Sequence, residues 1–386
     1  MRCIGQLYVY EIKKIIKRKI VWIVSAVMLL LCIFLSFANL ISSVYSYGDV
    51  DMNGYEYMKK VREYARSFSG RELDDTLLRE MQESYREKAE KIEEYASIYM
   101  FVWDIMQDDE LAQETDSAGL YLTRKNYISQ NRADQMLTEK EIEYWEEKDS
   151  QIETPFIYEH TDGWSDLCLY ACAINYIQLL MIAICLANVF SVEHLRKTDA
   201  VILCSRYGKK QLYAAKMLAG ITFGMVTSFV LFGVSAISRI VVYGADGLHA
   251  ALQIVFPMSS WTMSVGGAVL VLFFTAIVIS VLYSVAIMVL SELLKNSIAV
   301  MAIPVGIMFL TMLVDIPYQF RTLSQIYDLL PTNLLVTWAF WDDRLVSIFG
   351  KYLTNFQIAP IIYLMFTVLL FLVGKRRYQK YQIGAR

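Results

Sequence analysis

WTMSVGGAVLVLFFTAIVISVLYSVAIMVLS, residues 261–291, runs for 31 positions without a charged side chain. A helix rises about 1.5 Å per residue, so roughly 20 apolar residues cross the hydrocarbon of a bilayer. The stretch exceeds that length and reads as a membrane span. Residues 20–41, 167–190, 212–243, 297–314 and 356–373 read the same way. The predicted fold is therefore an all-α polytopic membrane protein with six transmembrane helices. The spans at 212–243 and 261–291 are longer than a crossing requires, so they are expected to tilt, project or break near Gly233 and Gly266-Gly267. Pro304 and Pro360 are expected to kink the last two. A mean hydropathy of +0.38 with only 19% charged residues points away from a soluble globular chain.

The charges are segregated. Residues 42–166 hold 30 of the 39 acidic and 14 of the 36 basic residues, a local balance of −16. Lys and Arg are retained on the cytoplasmic side of a membrane. The N-terminal tail, residues 191–216, the turn at 292–296 and the C-terminal tail together carry 18 of them, against three in 244–260 and 315–355 combined. Both termini are therefore expected in the cytoplasm and the acidic region outside. The predicted division is an interfacial amphipathic helix at 1–19, a span at 20–41 and an acidic helical extracellular domain at 42–166. A five-helix region at 167–374 and a basic tail at 375–386 complete it. Lys13, Lys14, Lys17, Arg18 and Lys19 are the predicted membrane-interface cations. Ser36-Phe37-Ala38 also resembles a signal cleavage site, but the apolar run before it is longer than an ordinary signal core, so the span is read as retained.

Within the acidic region Leu73, Leu77, Met81, Tyr85, Ile92, Tyr95 and Tyr99 recur at helical spacing behind a capping-box pattern, Ser69 to Glu72. One long helix to about Met106 is predicted. A second capping box, Thr138 to Glu141, opens another through Trp145, and 54–68 forms a first. Interleaved Glu and Lys mark a solvated face or a docking surface for a cationic peptide. His160 has no Ser or Cys partner placed by a motif, so hydrolase chemistry has no support here. None of the six cysteines lies well inside the region, which folds without disulfides. Cys168 and Cys172, with no His or carboxylate at ligand spacing, read as small apolar packing.

A transporter driven by ions keeps an ionisable group at membrane depth. No such residue stands mid-span here: Asn175 and Gln178 are the most polar central groups, fitting either a cavity lining or helix-to-helix hydrogen bonds. Arg239, Glu292 and Asp315 stand near span ends, where a long side chain can reach the interface. Nor is there a phosphate-binding G-x-x-x-x-G-K-[ST] loop. Another polypeptide would have to supply the driving energy.

Residues 191–216 read SVEHLRKTDAVILCSRYGKKQLYAAK: an amphipathic helix leaving the membrane, a turn at Tyr207-Gly208, and a helix that re-enters. On the residues alone this is equally a basic anchor on anionic lipid. The pattern Glu193, Thr198-Asp199, Leu203, Ser205-Arg206, Gly208-Lys209, Ala215-Lys216 resembles the loop of type-2 ABC exporter permeases. Residues 10–23 resemble that family's interfacial helix, and 315–355, with DLLPTN at 328–333, its extracellular re-entrant segment. Lys197 stands where the family often has Gly. Large ectodomains between the first two spans occur in one branch of it.

The resemblance implies that segment 191–211 touches a separate ATPase. Glu193, Arg196, Thr198, Asp199, Ser205, Arg206, Gly208, Lys209 and Lys216 would be the coupling residues, with Gly208 as hinge. It further implies no catalytic site or cofactor in this chain, with ATP and Mg held by two copies of the partner ATPase. A second permease, identical or not, would complete an exporter in the cytoplasmic membrane, with lipid and no nucleic acid as its surroundings. The alternatives are a mechanotransmission protein acting through its ectodomain, and a non-ABC membrane sensor or scaffold. The residues do not name a substrate.

Overall fold

A computed structural model describes residues 2–380 except 43, 48–49, 88–91, 197, 199–200, 202–203 and 206. Helices α1 (Arg2–Ile16) and α2 (Lys19–Leu35) meet at a 66° bend and lead into the short α3 (Ala38–Ser42). A hairpin of β1 (Val44–Tyr47) and β2 (Val50–Asn53) opens the acidic domain. Its helices are α4 (Gly54–Phe68), α5 (Asp75–Glu87), α6 (Ile92–Met106), α7 (Asp109–Ala112), α8 (Ser117–Asp134) and α9 (Glu139–Asp149). The chain returns through α10 (Asp162–Leu186), α11 (Asn188–Leu195), α12 (Gln211–Tyr243), α13 (Val265–Leu294) and α14 (Ser297–Leu313). Helix α15 (Arg321–Asp328), a hairpin of β3 (Val346–Ile348) and β4 (Lys351–Leu353), and α16 (Asn355–Lys380) complete it. The protein is mostly helical, with these two short hairpins as the departure from an all-α chain.

Each of the six apolar stretches contains a helix. Four elements are long and apolar enough to cross a membrane: α10 continued into α11, α12, α13 and α16; the bent pair α1 and α2 makes a fifth if taken as one span. Helix α14, at 17 residues, measures about 25 Å against a hydrocarbon core of roughly 30 Å. The expected break at Gly266-Gly267 is instead the start of α13. Ser264 caps it by accepting the Gly267 N–H at 3.2 Å, so both glycines lie in the first turn. Helix α12 passes Gly233 unbroken for 33 residues, about 50 Å, so it outruns the hydrocarbon. Gly220 and Gly224 let α12 approach α13 closely, because a Cβ at either would strike Met288 or Ser284.

The start of α12, α11, the end of α13 and the end of α16 share one end of the bundle with α1. Tyr378 packs on Phe190 and Tyr213 at 5.6 and 5.4 Å, and Ser291 Oγ accepts the N–H groups of Phe190 and Ser191 at 3.1 and 3.0 Å. At the opposite end Arg239, expected to reach outward, is fully buried. Its guanidinium donates to Asp166 Oδ2 at 2.7 Å and Ser36 Oγ at 3.1 Å and lies over the Tyr170 ring, joining α12 to α10 and to the residue that ends α2. Burial with a partner replaces solvent exposure for this charge.

The acidic domain sits on that second end. Its first helix starts at Gly54 and ends at Phe68, as expected, but Ser69 is the C-cap of α4 and opens no helix. The next helix begins at Asp75, with the Asp74 side chain accepting the N–H groups of Thr76 and Leu77 at 3.1 and 3.0 Å. The single long helix is in fact two. Tyr85 stacks on Tyr99 at 4.5 Å, whereas 14 residues of one straight helix would separate them by about 21 Å. The predicted inward face is nonetheless correct at Leu73, Leu77 and Met81, all without solvent exposure. The Thr138 box forms, its N–H donating to Glu141 Oε2 at 2.8 Å.

Helix α8, unforeseen, fixes the domain to the bundle. Arg124 donates to the carbonyls of Pro257 and Ser259 at 2.6 and 3.0 Å. Arg132 reaches Asp343 at 2.8 Å, Ser260 Oγ at 2.9 Å and Asp149 at 3.1 Å. Asn131 and Gln135 both donate to the Trp341 carbonyl, and Arg321 pairs with Glu141. The 244–264 loop and the 315–355 segment are thus held by one helical domain. Burial pushes the Asp343 carboxyl up to about 7 against the opposing pull of Arg132.

Candidate coupling site

Helix α1 presents one apolar face to α12. Ile15 is buried, Tyr8 Oη donates to Thr222 Oγ1 at 3.1 Å, and the buried Glu11 is the acidic member of an otherwise basic helix. Lys14, one turn on, donates to Glu11 Oε1 at 3.1 Å and to Glu193 Oε1 at 3.2 Å. The other oxygen of Glu193 lies 2.5 Å from Lys216 Nζ, whose ammonium also donates to the Val189 carbonyl and covers the Phe190 ring. Two carboxylates and two ammonium groups thus close a neutral cluster linking α1, α11 and α12. Lys216 is wholly shielded from solvent and Glu193 is 7% exposed. A desolvated group with this many charged partners holds three elements in one register.

The root of the 191–216 segment is thereby buried and its tip is not. Arg196, Thr198, Ser205 and Lys209 are exposed. The main-chain N–H of Thr198 turns back to the Glu193 carbonyl at 3.0 Å, so the exposed tip is tied to the charged root. A family model described as an ABC-2 family transporter protein matches residues 6–325, from α1 across the acidic domain into α15. The chain belongs to the ABC-2 transporter family. This permease is a multi-pass membrane subunit of an ABC transporter. Its family works with an ABC ATPase, generally in a dimeric arrangement, and is not itself the ATPase. No curated protein and no solved structure shows a significant match to it.

In the permease the predicted coupling residues separate into two groups. Glu193 and Lys216 turn inward, so neither offers its charge to a partner surface. Arg196, Thr198, Ser205 and Lys209 face outward. Gly208 is enclosed in the 207–210 turn, where its N–H donates to the Ser205 carbonyl at 3.1 Å. Asp199 and Arg206, and Lys197 with them, lie outside the described residues. Of the interface cations, Lys13, Lys17 and Lys19 are exposed, while Lys14 joins the cluster and Arg18 donates to the Cys185 carbonyl at 3.3 Å.

Asn175 and Gln178 do not line a described cavity. Both are 2% exposed, and their amide groups bind neighbouring segments. Gln178 Nε2 meets the Gly224 carbonyl and Thr227 Oγ1 on α12 at 3.0 Å each, and Ser280 Oγ on α13 at 3.3 Å. Asn175 Nδ2 donates to the Pro331 carbonyl at 2.8 Å. Interhelical hydrogen bonding accounts for the Gln178 donor, and a bond from helix to turn accounts for that of Asn175. Glu11 was missing from the predicted site; its spacing of three from Lys14 inside a basic helix is the signal that could have found it.

Proposed function

We propose that this permease is the membrane half of an ATP-driven exporter, coupled to a separate ATPase through the 191–211 segment. The observation that carries the reading is the neutral ion cluster at the root of an exposed basic tip. Arg196 stands three residues from Glu193, which is bonded to α1 and α12 at once, and Lys209 stands just before α12, which carries Lys216. A push there moves both elements together. In this reading the chain has six spans, with α2 and the short α14 each counted as one. The 18 Lys and Arg counted in the short flanking segments support a reading with both termini and the coupling segment in the cytoplasm and the acidic domain outside the cytoplasmic membrane. Two ATPase copies holding ATP and Mg, and a second permease, complete the unit.

The test is charge reversal of the exposed tip, Arg196→Glu with Lys209→Glu, in a complex reconstituted with its ATPase. Loss of transport-linked ATP hydrolysis with an intact fold is expected. Unchanged hydrolysis and transport would overturn the coupling assignment.

A second reading is favoured by the grip of the acidic domain on both loops at its end. A stroke delivered at the basic end would then move that domain against an external partner, with nothing crossing the membrane. Removal of residues 50–160 discriminates, since an exporter retains partial pumping and a transmission device loses all output. Family membership removes the non-ABC sensor or scaffold from consideration.

A further inference from the structure

A cleft of about 860 Å³ opens where the acidic domain meets the bundle. Helices α4 and α6 form one wall; the first turns of α10, residues 254–258 and Trp341 form the other. Its surface is largely apolar and aromatic, with Met100, Phe101, Phe256 and Trp341 prominent. Two carboxylates, Asp104 and Asp162, line it, and no Lys or Arg does. Asp162 has His160 Nδ1 at 3.5 Å. Asp104 has no hydrogen-bond or ion-pair partner among the described residues. Although Asp104 is open to solvent on one side, the cleft wall desolvates it in part and raises its carboxyl above the usual range, an effect that an incoming positive charge would reverse.

We propose that this cleft is a binding site for a lipophilic cation, with Asp104 as its counter-charge and the aromatic wall as its apolar bed. Its volume lies within the range of small-molecule sites. A ring face attracts a cation electrostatically, and the same walls exclude strongly hydrated ions, which gain nothing from them. Asp162 is balanced by His160 and by Arg62 behind the wall, so an anion of equal shape meets the uncompensated carboxylate of Asp104 and no Lys or Arg in the lining. The site lies on the opposite end of the molecule from the coupling segment, so occupancy can be read without ATP or transport.

The probes are tetraphenylphosphonium and its isosteric anion tetraphenylborate, titrated calorimetrically into full-length protein in phosphatidylcholine nanodiscs with empty discs subtracted. Saturable binding of the phosphonium alone is expected. Asp104→Asn should weaken it about tenfold, and Asp104→Lys should abolish it. Trp341→Ala should weaken phosphonium binding without restoring the borate. Because the Asp104 side chain is exposed and holds no internal bond, unchanged thermal unfolding of Asp104→Asn is also expected. Equal binding of both probes, phosphonium binding that survives Asp104→Lys, or no binding above empty discs would each overturn the assignment.

Discussion

Lys216 Nζ and Glu193 Oε2 lie 2.5 Å apart, one on the first turns of α12 and the other near the end of α11, with Lys216 wholly shielded from water. The pair sits about 7 Å along α12 from its first residue. Such a pair is costly to break on one side only, because the remaining charge stays buried with only its weaker contacts, Lys14 for Glu193 or the Val189 carbonyl for Lys216.

Glu193→Gln or Lys216→Met alone should therefore destabilise the permease by about 3–5 kcal/mol, and the double variant by less than the sum. Thermal unfolding of the purified complex measures this. Additive losses would show that the two groups act separately.

The Asp343 carboxyl gives a pH dependence whose sign follows from its burial. Its folded value of about 7 lies above the ordinary carboxylate value near 3.9, so the folded state holds the extra proton between them. Its contribution to stability falls as pH rises from about 4 to about 7 and is flat above. Asp328, pushed up to about 6 by burial beside Arg344, acts in the same direction. Melting temperatures across this range should show the wild type losing ground to Asp343→Asn as pH rises; a constant difference would contradict the assignment.

Gly163→Ala should destabilise far more than Gly220→Ala. A Cβ at Gly163 would be driven into the Gly244 carbonyl, which is backbone and cannot step aside; at Gly220 it would meet the thioether of Met288, a flexible side chain. Expression level and thermal midpoint of the two variants decide the matter, and equal effects would refute the distinction.

Gln178→Leu should cost only about 1 kcal/mol, the scale of interhelical hydrogen bonds in membrane proteins, and leave transport intact. A loss of transport at unchanged stability would instead place Gln178 on a substrate path.

The spans were legible because a membrane demands long uncharged runs whatever the helix packing, and every expected run contains a helix. The pairing of charges was not. Glu193 and Lys14 are 179 positions apart, and spacing along a chain says nothing about which residues folding brings face to face. Helix α8 escaped notice for a different reason. Its buried stripe is Leu120, Arg124, Ile128 and Arg132, so half of a perfectly periodic face is arginine and carries no apolar signal. The over-long helix across 72–106 has the opposite origin: the whole stretch contains no Gly or Pro to mark where one helix ends and the next begins.

Arg124, Asn131 and Gln135 address peptide oxygens of Pro257, Ser259 and Trp341, whatever side chains those positions bear. Recognition of this kind reads the path of a loop and ignores its spelling. Pro257 and Ser259 are themselves buried, and the Ser259 hydroxyl donates to the Phe340 carbonyl at 2.8 Å, so the seam they share with α8 is closed from the loop side as well.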